Sequence, residues 1–94
     1  MKYMSFISAS YVPKNQLEKD QIALLEIYNR DLINSDKELK EFQNEVIEGL
    51  NQLNKNNPRC DPFTPSWHEL GGDEHDYFIS GIRVVRFRIY QIKE

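Results

Sequence analysis

The amino-acid sequence predicts an α+β fold in which a two-helix hairpin packs on one face of an antiparallel β-sheet, in the order β-α-α-β-β-β. Three observations lead to this prediction. An aromatic and β-branched segment comes first, two segments with apolar residues at helical spacing follow, and three segments of alternating polarity come last. Residues 1–94 are treated as a single domain, because a chain of 94 residues buries one core of modest size.

The first strand is predicted for residues 2–12, KYMSFISASYV, which stop before a proline that cannot donate to a β-ladder. A first helix is predicted from about Asn15 to Ile33. The residues expected on its apolar face are Leu17, Leu24, Leu25, Tyr28 and Leu32.

The second helix is predicted to begin with a capping box at Ser35 and Glu38, in which the glutamate also accepts from the amide of Ser35. Apolar residues then recur at steps of three and four and form one stripe against the sheet: Leu39, Phe42, Val46, Leu50 and Leu53. The short joint at residues 34 and 35 makes the two helices an antiparallel hairpin.

Residues 54–65, NKNNPRCDPFTP, hold three prolines and three asparagines and predict an irregular connector. Three strands are expected after it, at about 66–70, 76–80 and 82–92. Glycine supplies the positive φ that the intervening turns need, at the Gly-Gly pair after residue 70 and at Gly81.

Side chains alternate between the two faces of the last strand. Val85, Phe87 and Ile89 are predicted to face the helices, and Arg86, Arg88 and Tyr90 the opposite side. Two guanidinium groups and a phenol in one row suit phosphate, carboxylate or stacked bases. The alternative is an ordinary solvated face, or a row that pairs with the acidic residues between 69 and 76.

Four potential metal ligands lie within eight residues: His68, Glu69, Asp73 and His75. Their spacing matches no tetrahedral zinc motif, so neither a metal site nor a cofactor is predicted. His75 is a candidate general acid or base if it lies beside Arg86 or Arg88, and otherwise a solvated turn residue.

Two further residues, Cys60 and Trp67, are candidates for a special role. Cys60 is the only cysteine, which excludes a disulfide within the chain, and we interpret it as a structural or incidental thiol because no base lies near it in sequence. Trp67 is predicted in the core, with an exposed anchor beside Phe63 as the alternative.

The net charge of −3 argues against a protein whose whole surface holds nucleic acid, since phosphate contact is made mainly by Lys and Arg. No apolar segment has the length of a signal sequence or a membrane span. The lone cysteine and the absence of such segments predict a cytoplasmic location without membrane contact.

The C-terminal third resembles the RelE/ParE superfamily of bacterial toxins, in the Leu70-Gly71-Gly72 turn, the Tyr77-Phe78-Ile79 segment and the Arg83-Val84-Val85-Arg86-Phe87 segment. The resemblance implies a small sheet with two helices packed on it. It also implies messenger RNA cleavage on the ribosome, with general acid-base assistance to attack by the ribose 2′-hydroxyl. The residues that match the implied catalytic set are Arg83, Arg86, Arg88, Tyr90 and, less directly, His75.

Two functions from different classes follow. The first is a non-catalytic factor that occupies a protein partner, such as an inhibitor, immunity or anti-defence factor of bacterial or phage type. Small size, aromatic-rich segments and the lack of a strong catalytic spacing favour it. Its predicted contact residues are Glu41, Glu45 and Glu48 on the second helix, and Arg86, Arg88 and Tyr90.

The alternative function is a RelE/ParE-like toxin, either a ribosome-dependent endoribonuclease or an inactive relative. Its partner would be RNA or the ribosome. A homodimer is compatible with both functions.

Overall fold

A computed structural model of the protein describes residues 1–59, 62–72 and 75–93. Its elements follow the predicted order and are β1 (Lys2–Ala9), α1 (Gln16–Ile27), α2 (Asp36–Asn56), β2 (Ser66–Glu69), β3 (Tyr77–Ser80) and β4 (Val85–Ile92). The four strands form one antiparallel sheet in the order β1-β4-β3-β2. The predicted α+β class is therefore confirmed.

β4 is a central strand, and its register sets which side chains share a face. It pairs with β1 from Lys2↔Ile92 to Ala9↔Val85. With β3 it pairs only at Tyr77↔Ile89 and Phe78↔Arg88. The two strands therefore separate beyond residue 78, before the turn that contains Gly81.

The core lies between the helices and one face of the sheet. The predicted inward set of β4, Val85, Phe87 and Ile89, is at most 4% exposed. It meets the apolar stripe of α2, in which Leu39, Phe42, Val46 and Leu50 are buried as predicted.

Trp67 packs against this core from β2 and remains partly accessible. Its ring centroid lies 6.0 Å from that of Phe87. Its Nε1 donates to the backbone oxygen of Gln43 at 3.0 Å, which satisfies the indole and ties β2 to α2.

The first helix is shorter than predicted and ends at Ile27 rather than Ile33. The backbone after it bonds to the outer edge of β1 instead of continuing the helix. The amide of Tyr3 donates to the oxygen of Ile33 at 2.8 Å, and the amide of Ile33 donates to the oxygen of Tyr3 at 2.7 Å. These non-local bonds replace the helical ones, so Leu32 leaves the predicted apolar face and is 49% exposed.

The ends of two strands also differ from the prediction. β1 stops at Ala9 rather than residue 12, because the amides of Ser10 and Tyr11 both donate to the single oxygen of Val84 and end the regular ladder. β4 begins at Val85 rather than residue 82.

The capping box of α2 forms with one change. Ser35 Oγ accepts from the amide of Glu38 at 3.2 Å, as predicted, but the Glu38 carboxylate accepts from the amide of Asn34 at 2.9 Å rather than from that of Ser35.

Neither helix in the described part of the chain has an apolar stretch long enough to cross a membrane.

Replacing Ser35 by alanine is expected to lower the free energy of unfolding by about 1 kcal/mol, because the first turn of α2 loses an acceptor for a helix-end amide. Urea denaturation followed by circular dichroism measures this change. Asn44→Ala on the exposed face of α2 is the control, and we expect it to stabilise the fold by a few tenths of a kcal/mol, about 0.5 at most, because alanine has the higher helix propensity. Equal stability of the Ser35→Ala variant and the wild type would contradict the assigned cap.

Candidate functional site

The face of the sheet that the helices leave uncovered brings together side chains from three strands. Phe6 lies opposite Arg88, and Met4 lies opposite Tyr90, on β1 and β4. Phe78 of β3 lies opposite Arg88 from the other side. We call this surface the open face and define it by Met4, Phe6, Phe78, Arg86, Arg88 and Tyr90.

Large apolar side chains on the open face are accessible to solvent. Phe6 is 50% exposed and Met4 is 36% exposed. The guanidinium carbon of Arg88 lies 5.1 Å from the centroid of the Tyr90 ring, which is cation-π distance. The open face therefore combines rings, a thioether and cations in one contiguous layer.

His68 of β2 borders the open face and was not predicted there. Its ring stacks on Phe78, with centroids 5.1 Å apart and an interplanar angle of 24°. Its Nε2 lies 2.9 Å from Ser80 Oγ. Neighbouring residues of a strand point to opposite faces, so a core position for Trp67 would have predicted His68 on the open face.

The two arginines of the open face have no carboxylate partner in the part of the chain that the structure describes. The described acidic residues between 69 and 76, which are the alternative partners for these arginines, bond elsewhere. Glu69 lies 2.8 Å from His75 Nδ1. Asp76 is buried and accepts from the backbone amide of Gln91 at 3.0 Å. The prediction of internal pairing thus fails for Glu69 and Asp76, and Asp73 and Glu74 lie outside the described residues.

Arg83 does not join the open face. Its Nε and Nη2 donate to the two carboxylate oxygens of Glu18 at 2.8 and 2.7 Å. Glu18 is only 7% exposed, and the hydrogen bond from Arg83 is the main reason that its pKa is lowered to about 2. This bidentate pair connects the first turn of α1 to the loop before β4.

His75 lies on the helix-covered side of the sheet and not beside Arg86 and Arg88. Its backbone amide donates to Gln91 Oε1 at 3.1 Å, and Gln91 faces the same side as Tyr3. Together with Tyr3, Lys40 and others it lines a cavity of about 440 Å³ against α2. The geometric condition for His75 as a general acid or base beside the arginines is therefore not met.

The two tyrosines of that cavity stay neutral over the physiological range. Burial and a 2.9 Å hydrogen bond that Tyr3 donates to Asp36 raise the pKa of Tyr3 well above its usual range. Burial also raises the pKa of Tyr77. Neither phenol is suited to act as a base.

The predicted acidic residues Glu41, Glu45 and Glu48 are exposed on α2, in the helix layer and apart from the open face. Glu45 Oε2 lies 3.8 Å from Arg30 Nη2. The six predicted contact residues thus form two separate surfaces rather than one.

Metal binding receives no geometric support from the described residues, among which no three His, Cys, Asp or Glu side chains are grouped to hold an ion. His68 and His75 bond to different partners, at Ser80 and Glu69. Cys60 and Asp73 lie outside the described residues.

Comparison of the chain with protein-family models, with curated proteins and with solved structures finds no match.

Proposed function

We propose that this protein is a non-catalytic binding factor that acts in the cytoplasm by occupying a protein partner, in the manner of an inhibitor, immunity or anti-defence factor. One observation motivates this proposal: Phe6 and Met4 are exposed beside two arginines that have no described carboxylate partner. Aromatic residues, Met and Arg are the types enriched at the centres of protein interfaces.

The dispersal of the chemically active side chains supports a non-catalytic role. Of the five residues that a RelE-like reaction would use, Arg83 is held by Glu18, and His75 lies on the helix-covered side. Arg86, Arg88 and Tyr90 remain together. Three such groups can bind an anion or a ring, but they include no histidine and no carboxylate to act as a general base.

The alternative proposal is a RelE/ParE-like toxin, or an inactive relative, that acts on RNA or the ribosome. The position of Arg86, Arg88 and Tyr90 on an uncovered sheet face favours it, because the resemblance implies basic and aromatic side chains there. This alternative predicts that expression stops growth unless a companion antitoxin is present.

A pull-down of the tagged full chain from a bacterial lysate, at low and high salt, tests the proposal. Mass spectrometry and RNA sequencing identify the bound material. We expect one protein at near-stoichiometric amount and no enriched RNA. Recovery of ribosomes or cleaved messenger RNA, or catalytic turnover that is lost on changing Arg86 or Tyr90, would favour the toxin instead.

A further inference from the structure

The open face borders two hollows. One hollow of about 380 Å³ is lined by residues that include Tyr11, Arg86 and also Arg83, which is paired with Glu18. A second of about 380 Å³ is lined by residues that include Phe78, Arg86 and Arg88. Ile82, Val85 and Arg86 line both hollows, so the two hollows are adjacent, and together they are called the groove. It lies where β3 and β4 separate beyond Phe78.

Positive charge in this groove is not compensated from within the described chain. Arg86 lies at the junction of the two hollows and is exposed, and Arg88 lines one of them. The protein as a whole has a net charge of −3. The described residues that line the groove include no acidic one, whereas Glu41, Glu45 and Glu48 are exposed on α2. A ligand that brings carboxylates would form charge-assisted, bidentate bonds with these guanidinium groups.

The apolar surface beside the arginines sets a second requirement for the chemistry of a ligand. Phe6 stands opposite Arg88 on β1 and is half exposed, and Met4 follows on the same face. Covering them with apolar side chains is favourable, because it removes apolar surface from water. A ligand that covers both the arginines and these side chains therefore presents carboxylates and apolar side chains on the same face.

We infer that the open face receives an extended, acidic segment of a partner protein, with carboxylates on Arg86 and Arg88 in the groove and apolar side chains on Met4 and Phe6 beside it. This inference rests on the proposed function and specifies its partner. A protein segment is favoured over RNA because only two unpaired arginines face the groove, and RNA affinity depends on the number of neutralised phosphates.

Three probes test the inference by NMR titration of the ¹⁵N-labelled full chain. The first is a short peptide with a Glu-Glu-Leu-Leu repeat, which presents glutamate and leucine in turn on each face of an extended chain. The second has lysine in place of glutamate, and the third is an oligouridine RNA. We expect the acidic peptide to shift amide resonances of β1 and β4 around Phe6 and Arg88, with an affinity that falls as salt rises. We expect no saturable shifts with the lysine peptide.

Two double variants separate a specific contact from net charge. Arg86→Ser with Arg88→Ser is expected to weaken the acidic peptide about tenfold or more, because two charge-assisted contacts are lost. Lys37→Ser with Lys40→Ser removes the same charge from exposed positions of α2 and should change affinity less than about twofold. Absence of open-face shifts, or equal weakening by both variants, would overturn the inference.

The remaining outcomes of these experiments also test the inference. Tighter binding of oligouridine than of the acidic peptide on the open face would overturn it in favour of RNA. Concentration-dependent shifts of the open face without any probe would assign the groove to α2 of a second copy, which also overturns it. If the lysate yields a protein partner that binds the Arg86→Ser, Arg88→Ser variant as well as the wild type, the inference fails while the proposed function stands.

Discussion

Replacing Gly81 by alanine is expected to destabilise the protein by about 3 kcal/mol. We expect this to be a larger loss of stability than alanine causes at Gly71 or Gly72. Two causes add. Gly81 has φ of 90°, a conformation that costs an L-residue free energy, and a Cβ there would lie 2.6 Å from the backbone oxygen of Thr64. That neighbour is main chain just before β2, so relief of the overlap moves the β2 edge of the sheet.

The other glycines of the C-terminal half provide matched controls. Gly72 has φ of 103° with open space around its Cβ position, so Gly72→Ala isolates the backbone term at about 1 kcal/mol. Gly71 has open space and no positive φ, so Gly71→Ala should be nearly neutral. Urea denaturation of the three variants measures the series. Equal effects at Gly81 and Gly72 would show that the approach to Thr64 imposes no constraint.

Acidification is expected to remove up to about 3 kcal/mol of unfolding free energy through Glu18 alone. The pKa of Glu18 is lowered from 4.5 to about 2 in the folded state, first by the hydrogen bond from Arg83. Because the folded pKa lies below the unfolded one, the contribution is complete above about pH 4.5. It is lost as the pH falls from about 4.5 to about 2.

Urea denaturation across that pH window, with Glu18→Gln as the variant, measures this contribution. The wild type should lose its stability advantage over Glu18→Gln as the pH falls, whereas Glu48→Gln at an exposed position of α2 should follow the wild type. A constant difference between wild type and Glu18→Gln would contradict the assigned ion pair.

The Arg83→Met substitution tests the same pair from its other side at neutral pH. Leaving the buried carboxylate of Glu18 without a cation is expected to destabilise the fold more than removing that charge with Glu18→Gln. The comparison separates Arg83, which stabilises the fold through Glu18, from Arg86 and Arg88, which lie on the open face.

The fold was predictable where local pattern and tertiary packing agree. The stripe from Leu39 to Leu50 and the inward set of β4 were both visible as periodicity, and both form the core. The end of α1 was not predictable, because Ile33 and Arg30 bond to β1, which lies far from them in sequence. Helical spacing in residues 28–33 favoured a helix that these non-local bonds replace.

The candidate site was predictable only in its β4 half. The alternation of Arg86, Arg88 and Tyr90 with apolar residues indicated the uncovered face. In β1 the signal was ambiguous, since Tyr3 and Ile7 on one face are as apolar as Met4 and Phe6 on the other. Only the pairing of β1 with β4 shows which pair is buried against the helices. The ion pair of Arg83 with Glu18 joins residues 65 positions apart, and no local pattern marks it.

The lysate pull-down repeated with Phe6→Ser tests the claim that the open face binds a protein partner. Ile27→Ser is the control, because Ile27 is also exposed, at 77%, but lies at the end of α1 and outside the open face. Phe6→Ser is predicted to retain about tenfold less of the partner than the wild type, with unchanged folding, whereas Ile27→Ser retains it fully. Full retention by Phe6→Ser, or equal loss from both variants, would contradict the claim.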